Sequence, residues 1–584
     1  MYEGIRHQCG FSDCYCLNEK ELRINLHTNL TVIYVKLVCE DPYICGTDTS
    51  LWDGEPREML LSQELYNEKI YSVTVVPPFK RLQYYFIITF EDGSRRVLLE
   101  DGIHEMSVIE RHDLARHFFK FGWMNESDIC RTPQWVENTV WYQIFPDRFC
   151  RVDDGYQGCF RQWNEPVEPG YTTFYGGNIK GIESKLEYLS SLGITGIYFT
   201  PVFKSRTNHR YDTSDYETID PVLGSNKDFA AMVKKAHSLG IKVMIDAVFN
   251  HSGREFFAWK DAMEKGEKSE YFDWYYINNS DTFAQEGKTD DGRYYSFAFV
   301  SEMPKLDTNN PKVVGYLTEV CRNWIRDFDV DGIRFDVGNE ISHSFIRHLR
   351  TELKKEKEKE KDDLFLLGEI WTDSATYLDG DQYDSVMNYP FMQVVGNFFR
   401  NLELDACDFK YKINYCYSLY KQQVNRVLFN LLDSHDVTRL VNRAGSYDAF
   451  IQQLTVLMTM PGSPCIYYGT EIALEGENDP YNRRPMPWND VESGKYQQIT
   501  EDVKKLIKLR KSRWFESSRE LAWGEAGSDR LIHYARGKEH KSHVYINAND
   551  YDVNLAAGGR IVFSRKYENG VLGQGGVLIF NMTD

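Results

Sequence analysis

Long apolar runs are missing from this chain: none approaches the roughly 20 residues that a membrane-spanning helix needs. Its start, Met-Tyr-Glu-Gly-Ile-Arg-His-Gln-Cys-Gly, lacks the basic flank and apolar stretch of an export leader, so a soluble, cytoplasmic protein is expected. Basic residues are in deficit. With 68 Lys and Arg against 87 Asp and Glu the net charge is -19, which argues against nucleic acid or an anionic membrane surface as partner. Cysteine pairs at metal-binding spacing are absent too: Cys14-Tyr-Cys16 is too tight for a zinc pair, and no second pair follows. The 12 cysteines are spread thinly and predict reduced, mostly buried thiols.

What the chain does have is length, 584 residues, and aromatic side chains, 14% of the total with 38 Tyr and 12 Trp. The length calls for several domains, and the aromatics suit stacking on sugar faces as well as core filling. Residues 1–130 carry alternating runs such as Leu30-Thr-Val-Ile-Tyr-Val-Lys-Leu-Val and Leu82-Gln-Tyr-Tyr-Phe-Ile-Ile-Thr-Phe, the second closed by Glu-Asp-Gly. Period two with such turns predicts an N-terminal antiparallel β-sandwich.

Across 131–515 strand-like runs alternate with helical ones. Eight candidate strands fall at 139–145, 193–203, 241–250, 331–337, 364–371, 383–388, 427–436 and 463–471. The intervening segments space apolar residues by three or four, as in Val313, Leu317, Val320 and Trp324. Eight such units predict an α/β fold, a closed (β/α)8 TIM barrel with insertions, whose catalytic groups sit at strand C-termini. The stretch 252–310 after strand three, rich in aromatics, Gly and Asp, predicts an inserted subdomain. Lys354–Lys361 reads as a solvated helix face, and runs at 531–535, 544–547 and 577–581 predict a C-terminal β-sandwich over 516–584.

Several of these strands end in acids: Ile241 to Asp246 and His251, Asp331-Gly-Ile-Arg-Phe-Asp336, Leu364 to Glu369, and Val427 to His435-Asp436. Residues two apart in a strand share a face, so Arg334 and Asp336 project together, and the guanidinium is expected to favour an ionised Asp336. Glu369, beside Ile370 and Trp371, is expected to have a raised pKa and to serve as proton donor. Three acids from separate barrel strands match glycoside cleavage by a nucleophile and a general acid.

With these residues in place, the chain resembles the α-amylase superfamily of glycoside hydrolases over almost its whole length. Asp246-Ala-Val-Phe-Asn-His251, Gly332-Ile-Arg-Phe-Asp336, Gly368-Glu369-Ile-Trp371 and Ser434-His435-Asp436 look like its four signature regions, in order. The resemblance implies Asp336 as nucleophile, Glu369 as general acid/base and Asp436 as the acid that holds the distorted sugar. It further implies sugar contacts from Asp246, Arg334, His251, His435, His209 and Tyr211. Met303-Pro-Lys-Leu306, Asp41-Pro-Tyr43 and Phe90-Glu-Asp-Gly93 resemble the neopullulanase, cyclomaltodextrinase and maltogenic amylase group. In that group the N-terminal module helps form a homodimer, and Asp479 and Arg483 look like its loop contacting sugar after strand eight.

The chain departs from that pattern in places. Val337-Gly-Asn-Glu340 replaces Val-Ala-Asn-Glu, and Glu340 keeps the binding position. At the calcium loop, Asp153 and Asp154 are joined by Asn178 where an aspartate is common, so weak calcium binding is expected and no cofactor is required. The expected reaction is retaining hydrolysis of α-1,4 and α-1,6 bonds in cyclodextrin, maltooligosaccharide, pullulan or starch, with transglycosylation when a sugar replaces water. Its carboxyl groups should lie about 5–5.5 Å apart. A metal-dependent barrel hydrolase built on Asp246, His251 and His435 would want a His-x-His or His-Glu-x-x-His motif, which is absent. A silent carbohydrate-binding scaffold would have lost an acid, and all three are present.

Overall fold

The computed structural model describes residues 3–46, 52–110, 117–166, 170–281, 287–358, 363–516, 520–525, 527 and 529–582. They divide into two compact units, one of residues 1–132 with 373–380 and 407–425, the other of 133–372, 381–406 and 426–584.

In the first unit the alternating runs form strands of a nine-stranded antiparallel array. Strand Glu55–Glu64 pairs with Val32–Glu40 through its first half and with Lys69–Val75 through its second, so it passes from one layer to the other. Inward residues Leu22, Ile24 and Leu26 of one layer share a core with Val35, Leu37, Tyr84 and Phe86 of the other. At the Glu-Asp-Gly turn Gly93 takes a φ of 80°, and the Asp92 carboxylate accepts the Ser94 N–H at 2.8 Å. The segment 407–425 joins this unit from far along the chain, where Asn414 Nδ2 donates to the Glu64 carbonyl at 2.9 Å.

The second unit contains eight parallel strands, which we number β1 (Trp141–Ile144), β2 (Gly196–Phe199), β3 (Lys242–Ala247), β4 (Gly332–Phe335), β5 (Phe365–Gly368), β6 (Ser385–Val386), β7 (Phe429–Leu431) and β8 (Ser463–Tyr467). Each pairs with its neighbour, β8 returns to β1, and a parallel bridge from Met387 to Phe429 joins the ends of the β6 and β7 segments, so the barrel closes. Trp141, Tyr198, Met244, Phe365, Leu367, Phe429 and Cys465 pack together in its core. Helix Pro311–Phe328 shows why the outer layer forms where expected. Asn310 caps it, Pro311 opens it, and Val313, Leu317, Val320 and Trp324 are buried. The ladders are shorter than the apolar runs; β7 ends at Leu431, and the chain then leaves the sheet with Ser434, His435 and Asp436 on the loop.

After β3 the insertion carries helix Phe257–Lys265 and packs Trp259 against Tyr275 and Tyr294, with ring centroids 4.7 and 4.8 Å apart. Helix His343–Glu358 takes up the start of the Lys-Glu repeat, whose residues 359–361 lie outside the described ones. The last strands form a six-stranded antiparallel sheet around Val571–Asn581. Gln452 of helix Tyr447–Thr459 donates to the Asn547 carbonyl at 2.7 Å, tying helix to sheet. Among the described residues no disulfide joins the cysteines, and most of them are buried. Among the described residues no helix is long and apolar enough to cross a membrane.

Candidate active site

Parallel register sets the site. Asp246 on β3 lies opposite Arg334 on β4, and Asp336 and Glu369 each follow directly on the last residue of their strands, Phe335 of β4 and Gly368 of β5. Arg334 is fully buried and serves three acids. Its Nη1 donates to Asp246 at 2.8 and 2.9 Å and to Asp336 Oδ1 at 2.9 Å. Its Nη2 lies 2.9 Å from Glu369 Oε1, an ion-pair distance without the alignment of a hydrogen bond. Tyr198 and Tyr211 donate to Asp246 Oδ2 at 2.9 and 3.1 Å.

Arg334, expected to favour an ionised Asp336, pulls in that direction against the burial of Asp336. Burial raises its carboxyl well above the usual range, Arg334 opposes the rise, and Glu369, Asp246 and Asp436 add to it. Burial likewise takes Asp246 up to about 6. The surroundings of Glu369 differ from those expected. It is met by polar groups rather than an apolar wall: Oε2 accepts the Val337 N–H at 2.9 Å and Oε1 the Tyr389 hydroxyl at 3.4 Å. Trp371 stacks on Tyr389, centroids 3.7 Å apart. Val337 aims its N–H from a left-handed conformation, φ 49° and ψ 47°, which is strained for a β-branched residue.

On the other wall Asp436 lines the cavity with its carboxylate partly exposed. Burial raises it against Arg483 and Arg334. His435 accepts from Gln143 Nε2 at Nδ1, 2.7 Å, which leaves the proton on Nε2 facing Tyr211 Oη at 2.6 Å and Asp436 at 3.1 Å. Burial holds His435 and His209 well below the usual range, and takes His251 down to about 3. Among the described residues the buried Nε2 of His251 has no hydrogen-bond partner, and the residue lines the cavity. Arg483 Nη1 pairs with Asp479 at 2.9 Å.

Asp336, Glu369, Asp436, His209, Tyr211, His251, Asp479 and Arg483 all line one cavity of about 640 Å³. Asp246, Arg334 and His435 are not among its lining residues and hold the ones that are. Glu340 is not among them either; it pairs with Lys305 at 3.3 Å. Sequence reasoning missed Gln143 and Tyr198, which alternation along β1 and β2 could have flagged. It also missed Tyr171, edge-on to His209 at 5.0 Å, and Phe297, stacked on His251 at 5.2 Å, for which no local signal exists. A larger cavity of about 740 Å³ around Lys204, Glu255 and Lys260 has mixed charges and none of the clustered acids.

Residues 143–513 match the family model described as "Alpha amylase, catalytic domain", and residues 1–125 that described as "Alpha amylase, N-terminal ig-like domain". The chain belongs to the α-amylase family. Within it, the intracellular maltogenic amylase of Bacillus subtilis is 37% identical over 514 residues, 87% of this chain and 84% of that protein. Neopullulanase 2 of Thermoactinomyces vulgaris is 37% identical over 517 residues, 87% of this chain and 84% of that protein. A solved cyclomaltodextrinase superposes with a TM-score of 0.87 at 31% identity, covering 100% of this chain and 98% of that one.

The calcium loop considered for this α-amylase family member has donors where a cation would need oxygens. Asn178 Nδ2 donates to the Val152 carbonyl at 2.7 Å and to Asp154 Oδ2 at 3.1 Å, while its Oδ1 accepts the Gly181 N–H at 2.8 Å and caps helix Ile179–Ser184. Asp153 and Asp154 accept the N–H groups of Gly155 and Tyr156 at 3.0 and 3.1 Å. An amide nitrogen thus occupies the ground between the oxygens, and the residues do not fit the ion. Among the described residues no three His, Cys, Asp or Glu side chains converge on a metal position.

Proposed function

We propose that this protein is a retaining α-glucan hydrolase acting on cyclodextrins, maltooligosaccharides, pullulan or starch at α-1,4 and α-1,6 bonds. The observation that carries the reading is the meeting of Asp336 and Glu369, from adjacent strand ends, on one guanidinium at the wall of the cavity. The names of the relatives support the substrate class.

Asp336 attacks the anomeric carbon as the bond to the leaving oxygen breaks, and Glu369 gives that oxygen its proton. A water then attacks the glycosyl-enzyme bond, Glu369 takes the proton, and Asp336 leaves as a carboxylate. A sugar hydroxyl in place of water gives transglycosylation. Asp436 accepts hydrogen bonds from the hydroxyls of the sugar being cleaved, and Arg334 balances charge as it moves between the two acids. No step passes through a metal.

The reading includes a location inside the cell and a homodimer through the N-terminal module. The word "intracellular" in a relative's name supports the first. Product analysis with the four glucans tests the reaction, and NMR of the first-formed anomer must give retention. Sedimentation at twice 68.3 kDa tests the dimer.

A further inference from the structure

Tyr383, just ahead of β6, is fully buried and touches the supports of both reacting acids. Its ring lies 5.6 Å from that of Phe335, the residue before Asp336. Its face covers Gly368, the residue before Glu369, so closely that a Cβ added there would fall 2.6 Å from Cδ2. Its hydroxyl donates to the Gly338 carbonyl at 3.0 Å.

Gly338 belongs to the turn that holds Glu369. The Gly338 N–H donates to the Glu369 carbonyl at 2.9 Å, and the neighbouring Val337 N–H donates to Glu369 Oε2, also at 2.9 Å. A Cβ at 338 would sit 3.0 Å from the Tyr383 hydroxyl oxygen and 3.2 Å from the Glu369 nitrogen. Hydroxyl and missing methyl are therefore complementary: Tyr383 occupies the room that an alanine would need. The strained conformation of Val337 must be held by what surrounds it, and the Tyr383 to Gly338 bond is part of that hold.

We infer that Tyr383, acting with Gly338, is a positioning residue for the reaction: it fixes Glu369 relative to Asp336 without meeting substrate. The inference rests on the reading of Asp336 and Glu369 as the reacting acids. Because the pair acts on geometry rather than on ligand contact, its loss should fall on kcat and spare KM.

The test is hydrolysis of β-cyclodextrin and maltotetraose by wild type, Tyr383→Phe, Gly338→Ala, the double variant and an Asp336→Asn control. Tyr383→Phe is expected to lower kcat about tenfold with KM within about twofold, and to lower the melting temperature only slightly, as loss of one buried hydrogen bond does in a chain of this size. Gly338→Ala is expected to lower kcat by at least about tenfold, and the double variant to recover part of that loss, since removing the hydroxyl frees the space. Multiplicative losses in the double variant, or a Tyr383→Phe enzyme within about twofold of wild type, overturn the inference. Should Gly338→Ala fail to fold, Tyr383→Phe alone decides it. A wild type that cleaves neither glucan overturns the reading of the site and this inference with it; an active wild type with a silent Asp336→Asn and an unaffected Tyr383→Phe overturns the inference alone.

Discussion

The guanidinium of Arg334 grips both carboxylate oxygens of Asp246 across the β3 to β4 ladder, at 2.8 and 2.9 Å, with both side chains fully shielded from solvent. This contact sets the floor of the site, because the same nitrogen reaches Asp336. Asp246 is therefore an anchor for the cation, and the cation orders the acids that line the cavity.

Arg334→Leu would leave these acids buried without their counter-ion. A loss of about 3–5 kcal/mol in folding stability is expected, read from the urea midpoint, together with loss of turnover. Arg334→Lys should keep more stability and little activity, since an ammonium presents no planar fork to three carboxyls. A lysine variant as active as wild type would contradict the shared role.

Asp336→Asn should abolish the covalent intermediate. A fall of at least about 10⁴ in kcat is expected, with KM and melting temperature little changed. Peptide mass mapping after a 2-fluoro glucosyl fluoride should find the adduct on Asp336 in wild type; label elsewhere would reassign the nucleophile.

The buried histidines should weaken the fold from about pH 6.5 downward, against the opposite contribution of Asp246, whose carboxyl is raised to about 6 and takes its proton first in the folded chain. Burial pushes His251 down to about 3 and His7 down to about 4 from an ordinary 6.5. Below that ordinary value the unfolded chain takes up the proton and the folded chain does not, so stability falls by about 1.4 kcal/mol per pH unit per histidine until the folded pKa is passed. His251→Gln should flatten the plot of melting temperature against pH between about pH 6 and pH 4. An unchanged slope would show that His251 is not a source of it.

Chelation should leave the protein untouched, because the Asn178 amide already spans Val152 and Asp154. EDTA is expected to change neither melting temperature nor activity. Asn178→Asp removes the donor and sets carboxylates together, a loss of about 1–3 kcal/mol that added calcium should then restore. A melting temperature that drops with EDTA in the wild type would refute this account of the loop.

Local pattern and covalent order were enough to determine the barrel, the N-terminal sandwich and the positions of the acids. Strand runs ending in Asp246, Asp336, Glu369 and Asp436 are written directly in the chain, and the alternation that puts Arg334 beside Asp336 needs no tertiary information. Partner choice was decided only in three dimensions. That Glu369 answers to Val337 and Tyr389, that Asn178 turns its nitrogen toward Asp154, and that residues 407–425 join the first unit depend on contacts between segments far apart in sequence. Periodicity tells which face a side chain takes; only closure of the barrel brings distant faces together and determines how many acids one buried cation must serve.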